Sequence, residues 1–164
     1  MKKFLKPGRV VIMLGGRYAG KKAVLLKMFY EGSTNRKFSH ALVAGISRSP
    51  RKVHKGMSET RVSRRIRIKP FVKYVNFNHF MPTRYVLGNE LDVKGVIKSF
   101  ESHSTLKKEG EETKQKDPLS NADFKRNLRR DVKKTLETKY QSLNLSDASE
   151  ENQIVKFFFK PLRF

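Results

Sequence analysis

Short apolar runs separated by turn residues are the feature that most limits how this 164-residue chain can fold. In the first half of the chain, runs rich in Val, Ile, Leu and aromatic residues alternate with Gly, Asn, Ser and Pro, a pattern typical of β-strands joined by turns. The predicted strands are RVVIML at 9–14, KAVLLKMF at 22–29, FSHALVAGI at 38–46 and FVKYVNF at 71–77. Strands this short, with this many turns, favour a small barrel over an open sheet.

The second predicted strand is apolar on both faces. Its alternating positions place Val24, Leu26 and Met28 on one side and Ala23, Leu25, Lys27 and Phe29 on the other. Because successive side chains of a strand point to opposite sides, we expect a small closed barrel that is filled inside and also covered from outside.

The chain is strongly basic, with 37 Lys and Arg against 15 Asp and Glu and a formal net charge of +22. Residues 1–73 hold 20 basic and 2 acidic side chains, a net charge of +18, whereas residues 74–164 have a net charge of only +4. This excess exceeds what solubility requires. A surface of this sign binds nucleic acid, because each cation placed on a phosphate releases condensed counterions. The first half is therefore expected to face phosphate.

Several other protein classes fit the sequence poorly. A membrane-surface protein is the competing interpretation of the charge, but the chain starts Met-Lys-Lys and has no prenylation Cys. The absence of Cys excludes disulfides, thiolate catalysis and Cys-ligated zinc. The apolar runs are too short to span a bilayer, and the N-terminus does not resemble a signal peptide. We therefore expect a cytosolic protein.

A long basic connection, residues 47–70, lies between the third and fourth predicted strands and holds nine Lys and Arg against Glu59 alone. Since charge of one sign repels itself, we expect a loop or extended arm that becomes ordered only on its partner. The predicted organisation is a barrel with this arm over 1–90, a connector with a polar insertion over 91–116, an amphipathic basic helix over 117–141, and a polar insertion with an aromatic-basic tail over 142–164.

The predicted helix begins near Asp117-Pro118, with Ser120 and Asp123 at capping-box spacing. Its apolar stripe is Phe124, Leu128, Val132, Leu136 and Tyr140, and Lys and Arg line the other faces. The tail FFFKPLRF at 157–164 is expected to pack against the barrel, the helix or a partner, because three exposed Phe side chains are costly in water.

The turn sequence GGRYAGKK at 15–22 fits the first seven positions of a Walker A loop. The eighth position does not fit, because Lys22 stands where Ser or Thr must hold magnesium, and a strand follows where a helix is required. A tight turn in which glycines permit positive φ explains the same residues. We therefore predict no nucleotide hydrolysis at this loop.

The sequence offers no enzyme-like constellation, since it lacks paired carboxylates, a nucleophile beside a base, and His residues at metal-ligand spacing. We expect no catalytic residues, metal or cofactor. Basic residues interleaved with aromatic ones suit phosphate contacts and base stacking instead. The candidate RNA-binding residues are Lys6, Arg9, Arg17, Tyr18, Lys21, Lys22, Arg36, Lys37, His40, Arg48, Arg51, Lys52, Arg61, Arg64, Arg65, Arg67, Lys69, Lys73, His79, Arg84, Arg126, Arg129, Arg130, Lys133, Lys160 and Arg163.

The chain resembles the eukaryotic large-subunit ribosomal protein 27 family, which is unrelated to the bacterial protein of the same number. The stretches that carry the resemblance are KFLKPGRVVIMLGGRYAGKKAVL at 3–25, FSHALVAGISRSPRKV at 38–53, IKPFVKYVNFNHFMPTRY at 68–85, the basic helix from 117 and KPLRF at 160–164. The polar stretches near 102–116 and 142–153 look longer than the family pattern. The family's KOW motif maps onto 9–29, with Gly20 as its key glycine.

The resemblance implies an SH3-like barrel followed by a C-terminal helix, and a structural role in the cytosolic 60S subunit after assembly in the nucleolus. Its implied partners are large-subunit rRNA and neighbouring ribosomal proteins, with no membrane, small-molecule substrate or homo-oligomer. A KOW-bearing transcription or elongation factor would share the barrel but should carry a further folded domain.

Overall fold

The computed structural model of the protein describes residues 4–33, 35–87, 95, 97, 98, 100, 118–143 and 150–162, without the side chains of residues 150 and 151. The strands are β1 (Arg9–Met13), β2 (Lys22–Phe29), β3 (His40–Arg48), β4 (Lys69–Asn76) and β5 (Phe80–Val86). The helices are α1 (Glu59–Ile66), α2 (Ala122–Gln141) and α3 (Glu150–Phe159), and short 3₁₀ turns cover Gly16–Tyr18, Phe77–His79 and Pro118–Ser120. The predicted polar insertion near 102–116 lies outside the described residues.

The five strands form one antiparallel sheet in the order β4-β3-β2-β1-β5. This confirms the predicted mainly β fold with helices and is consistent with an SH3-like barrel. The sheet is not closed, however, because no hydrogen-bonded ladder joins β4 to β5 within the described part of the chain. Both strands are therefore edges of the sheet.

The sheet has a separate hydrophobic core on each face, as the two-faced pattern of β2 predicts. The helix-side core joins Val24 and Leu26 to the apolar side chains of α2 and α3. The turn-side core contains Ala23, Leu25 and Phe71, and Tyr18 packs against it from the β1–β2 turn. Burial on both faces explains why so little of β2 is polar.

A bulge in β2 changes which face the end of this strand presents. The register with β3 shifts between Leu25 and Lys27. Beyond the shift, Met28 packs on the turn-side core and Phe29 on the helix-side core. The prediction that Met28 shares a face with Val24 is therefore wrong, because the extra residue of a bulge reverses the alternation.

Strand β5 was not among the predicted strands, and it contains Pro82, which lacks the N–H that a ladder bond needs. The structure pairs Pro82 with Val11 of β1. Among the described strands, β5 pairs with β1 alone and is an edge strand. Edge strands tolerate proline, because their outer side needs no ladder bond.

The basic arm at 47–70 contains a helix, which corrects the expectation of a loop or extended arm that becomes ordered only on its partner. Helix α1 follows Ser58 and has Glu59 in its first turn and Arg64 and Arg65 in its last. These charges complement the helix dipole at both ends, and this gives a basic segment a reason to fold without a partner.

Helix α2 begins one residue later than the predicted capping box requires. The side chain of Asn121, not that of Ser120, accepts bonds from the N–H groups of Asp123 at 3.0 Å and Phe124 at 3.5 Å. The predicted apolar stripe is confirmed, because Phe124, Leu128, Val132 and Leu136 are buried. The Glu137 carboxylate joins α2 to the sheet by accepting a bond from the Ile68 N–H at 3.1 Å.

The aromatic end of the chain is helical over Glu150–Phe159, not an extended tail as predicted. Val155, Phe158 and Phe159 are buried in the helix-side core, and the Tyr140 ring lies edge-on to Phe159 at 5.2 Å. Of the three alternatives predicted for these Phe residues, the structure shows packing on the sheet and on α2. None of the helices in the described residues has the length and apolar character needed to cross a membrane.

Candidate nucleic-acid interface

The turn between β1 and β2 depends on a glycine in the left-handed region. Gly20 has a φ of +71°, and its N–H donates to the Met13 carbonyl at 2.8 Å. The Met13 N–H donates in return to the Lys21 carbonyl at 2.9 Å, which joins the ends of the two strands. The predicted positive-φ turn is confirmed, and a strand follows it where a nucleotide-binding loop would need a helix.

Tyr18, a candidate RNA contact, is half-buried because its ring stacks on the protein. Its ring lies on that of Phe71, with 3.9 Å between centroids and 4° between planes. Arg17 and Lys21, on either side of it, are exposed. The turn therefore presents two cations from a backbone that its own hydrogen bonds and Tyr18 hold in place.

Helix α1 presents further cations, because the arm folds back on itself. The Arg51 N–H donates to the Arg65 carbonyl at 2.9 Å, and the Arg65 Nε donates to the Lys52 carbonyl at 2.9 Å. These two bonds place residues 51 and 52 beside the end of the helix. Arg65 is thus partly used within the protein, whereas Arg64 remains exposed.

Most of the candidate RNA-binding side chains are exposed. The exposed ones are Lys6, Arg17, Lys21, Lys37, Arg48, Arg51, Lys52, Arg61, Arg64, Arg67, Lys69, Lys73, His79, Arg84, Arg126, Arg129, Arg130 and Lys160. These residues come from the turn, the arm, the strands, α2 and the chain after α3. The cations available to a polyanion are therefore spread over several elements, and Arg163 lies outside the described residues.

Four other candidate cations are half-buried because they have partners inside the protein. The Arg9 Nη1 donates to the Thr83 carbonyl at 2.9 Å, and the Arg36 guanidinium lies 4.4 Å from the centre of the Tyr74 ring. Arg65 makes the bond described above, and Lys133 is paired with Glu137 at 3.7 Å. Such side chains can contact RNA only with the part that remains exposed.

Lys22 was predicted to contact RNA, but its side chain is buried and hydrogen-bonded within the protein. Its Nζ donates to the carbonyls of Phe157 and Lys160, the latter at 2.7 Å, and lies 3.7 Å from the centre of the Phe157 ring. A cation at this end of a helix satisfies its last carbonyls and favours its dipole. Lys22 therefore holds α3 against the sheet.

The environment of Lys22 predicts a pH-dependent stability. Burial, and then the nearby charge of Lys160, lower the pKa of Lys22 from 10.5 to about 8. Between these two values the unfolded chain holds a proton that the folded protein has released, so stability should rise with pH across this window. The free energy of unfolding, measured with urea at about pH 7 and at about pH 10, should show this rise with pH in the wild type and not in Lys22→Met. Identical pH profiles for the two proteins would contradict the lowered pKa.

His40 is also buried and is removed from the candidate contacts. Its Nδ1 lies 2.8 Å from the Phe38 carbonyl, and its ring stacks on Phe29 with centroids 4.8 Å apart. The hydrogen bond and the ring stack both hold the imidazole inside the protein. His40 therefore belongs to the packing of β3.

A groove of about 620 Å³ lies between the β1–β2 turn and β4, and we call it the turn groove. Its lining includes Met13, Gly16, Arg36, Phe38, Lys73 and His79, and no Asp or Glu belongs to the lining. Phe38 was not among the RNA contacts predicted from the sequence. Its place just before β3, next to the basic pair Arg36-Lys37, was the available signal. In the described parts of the chain, no three His, Asp or Glu side chains are placed to hold a metal ion.

Comparisons with known proteins agree over the length of the chain. The sequence model of the Ribosomal L27e protein family matches residues 10–164. A Tetrahymena thermophila protein named Large ribosomal subunit protein eL27 is 43% identical over 164 residues, covering 100% of both chains. A Schizosaccharomyces pombe protein named Large ribosomal subunit protein eL27A is 43% identical over 165 residues, again covering 100% of both. The similarity therefore extends over the whole chain, from β1 to beyond α3.

Proposed function

Because the chain belongs to the Ribosomal L27e protein family, we propose that it is a non-catalytic structural component of the large ribosomal subunit and binds folded rRNA. The two relatives described above bear the name of that subunit. The same proposal includes a cytoplasmic location, assembly in the nucleolus, and contacts with neighbouring ribosomal proteins.

The observation that carries this proposal is the distribution of exposed cations over a fold with two cores. The turn, α1 and α2 each present Lys or Arg side chains to solvent. The turn is held on the turn-side core through Tyr18, and α2 packs on the helix-side core. Helix α1 is held by the two bonds between Arg65 and residues 51 and 52. A rigid surface with cations on several elements suits the phosphates of folded RNA, which approach from more than one direction.

Helix α1 allows a direct test of the phosphate contacts. Replacing its exposed Arg61 and Arg64, together with Arg67 at its end, by Ala should flatten the slope of log affinity against log salt by about 2 to 3 units, roughly one per lost contact. The measurement is binding of the purified chain to large-subunit rRNA across a salt series. The matched control changes the same residues to Lys, which keeps the charge and should keep the slope. An unchanged slope in the Ala variant would remove α1 from the interface.

Assembly into the subunit is tested separately by sedimentation. The tagged chain, expressed in a eukaryotic cell, should move with large subunits and not with free protein or chromatin on a sucrose gradient. Sedimentation with chromatin alone would favour a KOW-bearing transcription factor and overturn the proposal.

A further inference from the structure

We propose that the turn groove binds one unpaired nucleotide of RNA, with the base against Phe38 and the phosphate beside Lys73 and His79. This inference rests on the proposed RNA-binding function and adds the kind of RNA element that the protein recognises. A base becomes available to such a groove only when it leaves the helical stack, as in a bulge or loop.

The size and floor of the groove suit a base. Its volume of about 620 Å³ lies within the range of small-ligand pockets. Two of the residues that line it, Met13 and Val75, are buried apolar side chains, 2% and 6% exposed. Apolar floors of this kind hold flat aromatic ligands by burying their faces.

The glycines of the turn leave the entrance of the groove open. A Cβ placed on Gly15 would meet no atom within 4 Å. One placed on Gly16 would meet only the Lys73 Nζ, at 4.0 Å. Side chains at these positions would project where the structure has space. A ligand can therefore approach the backbone of the turn closely.

The polar groups of the groove converge on the same turn. The Lys73 Nζ lies near Gly16, as the distance above shows. The Leu14 N–H donates to the His79 carbonyl at 3.0 Å, which brings His79 to the start of the turn. Both side chains are exposed, and both can bond phosphate oxygens. An anion at this position would be held by donors from β4 and from the β4–β5 turn.

Phe38 distinguishes a nucleotide from other anionic ligands. Its side chain is 47% exposed, so part of the ring is open to a ligand. The His40 ring lies edge-on to it at 5.8 Å and limits its orientation. A cationic groove alone would suit an acidic peptide equally well. An exposed aromatic face beside the cations favours a base, because stacking on aromatic side chains adds affinity whatever the base.

The test uses the full chain and two hairpin RNAs that differ only by a single bulged adenosine. The wild type should bind the bulged hairpin about tenfold more tightly, the contribution expected of one stacked base. Phe38→Ala should bind both hairpins equally. Phe38→Tyr should keep the preference because it keeps the ring. Phe4→Ala, which removes an aromatic side chain that is 59% exposed and outside the groove lining, should also keep it.

The outcomes separate this inference from the function on which it rests. If the wild type binds neither hairpin at physiological salt, the proposed RNA-binding function fails. If it binds both equally, or if Phe38→Ala retains the preference, RNA binding stands and the groove proposal fails. Tighter binding of an octaglutamate peptide than of the bulged hairpin would assign the groove to an acidic protein segment and overturn the proposal. Ultraviolet crosslinking of the adenosine to the peptide that contains Phe38 would support it directly.

Discussion

Replacing Gly45 by Ala should destabilise the folded protein by about 3 kcal/mol or more, the upper range for overpacking a core. A Cβ at this position would lie 2.4 Å from the Cζ of Phe71 and 2.7 Å from the backbone oxygen of Lys22. Neither neighbour can move freely. The Phe71 ring is stacked beneath Tyr18 at 3.9 Å, and Lys22 belongs to the central strand β2.

The matched control for this experiment is Gly56→Ala. A Cβ at Gly56 would meet no atom within 4 Å, and the residue does not have a positive φ. The control should therefore leave the free energy of unfolding within about 0.5 kcal/mol of the wild type, the usual range for surface changes. Urea unfolding followed by circular dichroism measures both variants. Equal stabilities for the two variants would show that β3 and β4 can separate to admit the methyl group.

Phe158→Ala should remove about 3 to 5 kcal/mol of stability, the usual cost of truncating a buried Phe. Phe158 is 2% exposed and packs edge-on to Phe159 at 5.7 Å in the helix-side core. The lost ring would leave a cavity between α3 and the sheet. Since small domains are stable by only about 5 to 15 kcal/mol, this change can unfold much of the protein at 37 °C.

Phe4→Ala provides the comparison for Phe158→Ala, because the same side chain is removed from a position that is 59% exposed. It should cost no more than about 1 kcal/mol, since surface substitutions have small effects. A loss of similarly small size for Phe158→Ala would mean that α3 is not docked in the free chain. The tail would then become ordered only on its partner, which is the alternative that the sequence left open.

The β-structure was predictable where side-chain alternation and turn residues agree. Residues 22–29 were predicted with the bounds that β2 has, and the burial of both its faces followed from its pattern. The bulge between Leu25 and Lys27 was not predictable. It depends on how β2 pairs with β3, which no local pattern of β2 specifies.

The helices were predictable only where the helical period is visible in the sequence. The stripe of α2 was clear because four buried residues repeat every fourth position. In α3, by contrast, Phe157, Phe158 and Phe159 are consecutive and hide the helical period. The signal that could have identified α1 was Ser58 followed by Glu59 and, later, by paired arginines, but the high positive charge suggested an extended chain instead.

The candidate site was predictable as a set of cations but not as a surface. Composition could not decide which of the neighbouring residues Lys21 and Lys22 faces solvent. Strand alternation could have done so, because Lys22 shares the parity of Val24 and Leu26, which lie in the helix-side core. The turn groove required the tertiary structure, since its lining comes from β1, the β2–β3 connection, β4 and the turn that follows β4.

The bond from Lys22 to the Phe157 carbonyl joins residues that are 135 positions apart. During synthesis at about 5 to 20 residues per second, roughly 7 to 27 s separate the appearance of these two residues. Throughout that interval β2 has been made, whereas α3, one of the two helices that cover its helix-side face, has not. Exposed apolar surface of this kind favours aggregation of the nascent chain, and the high positive charge of the chain opposes contact between such chains until α3 is made.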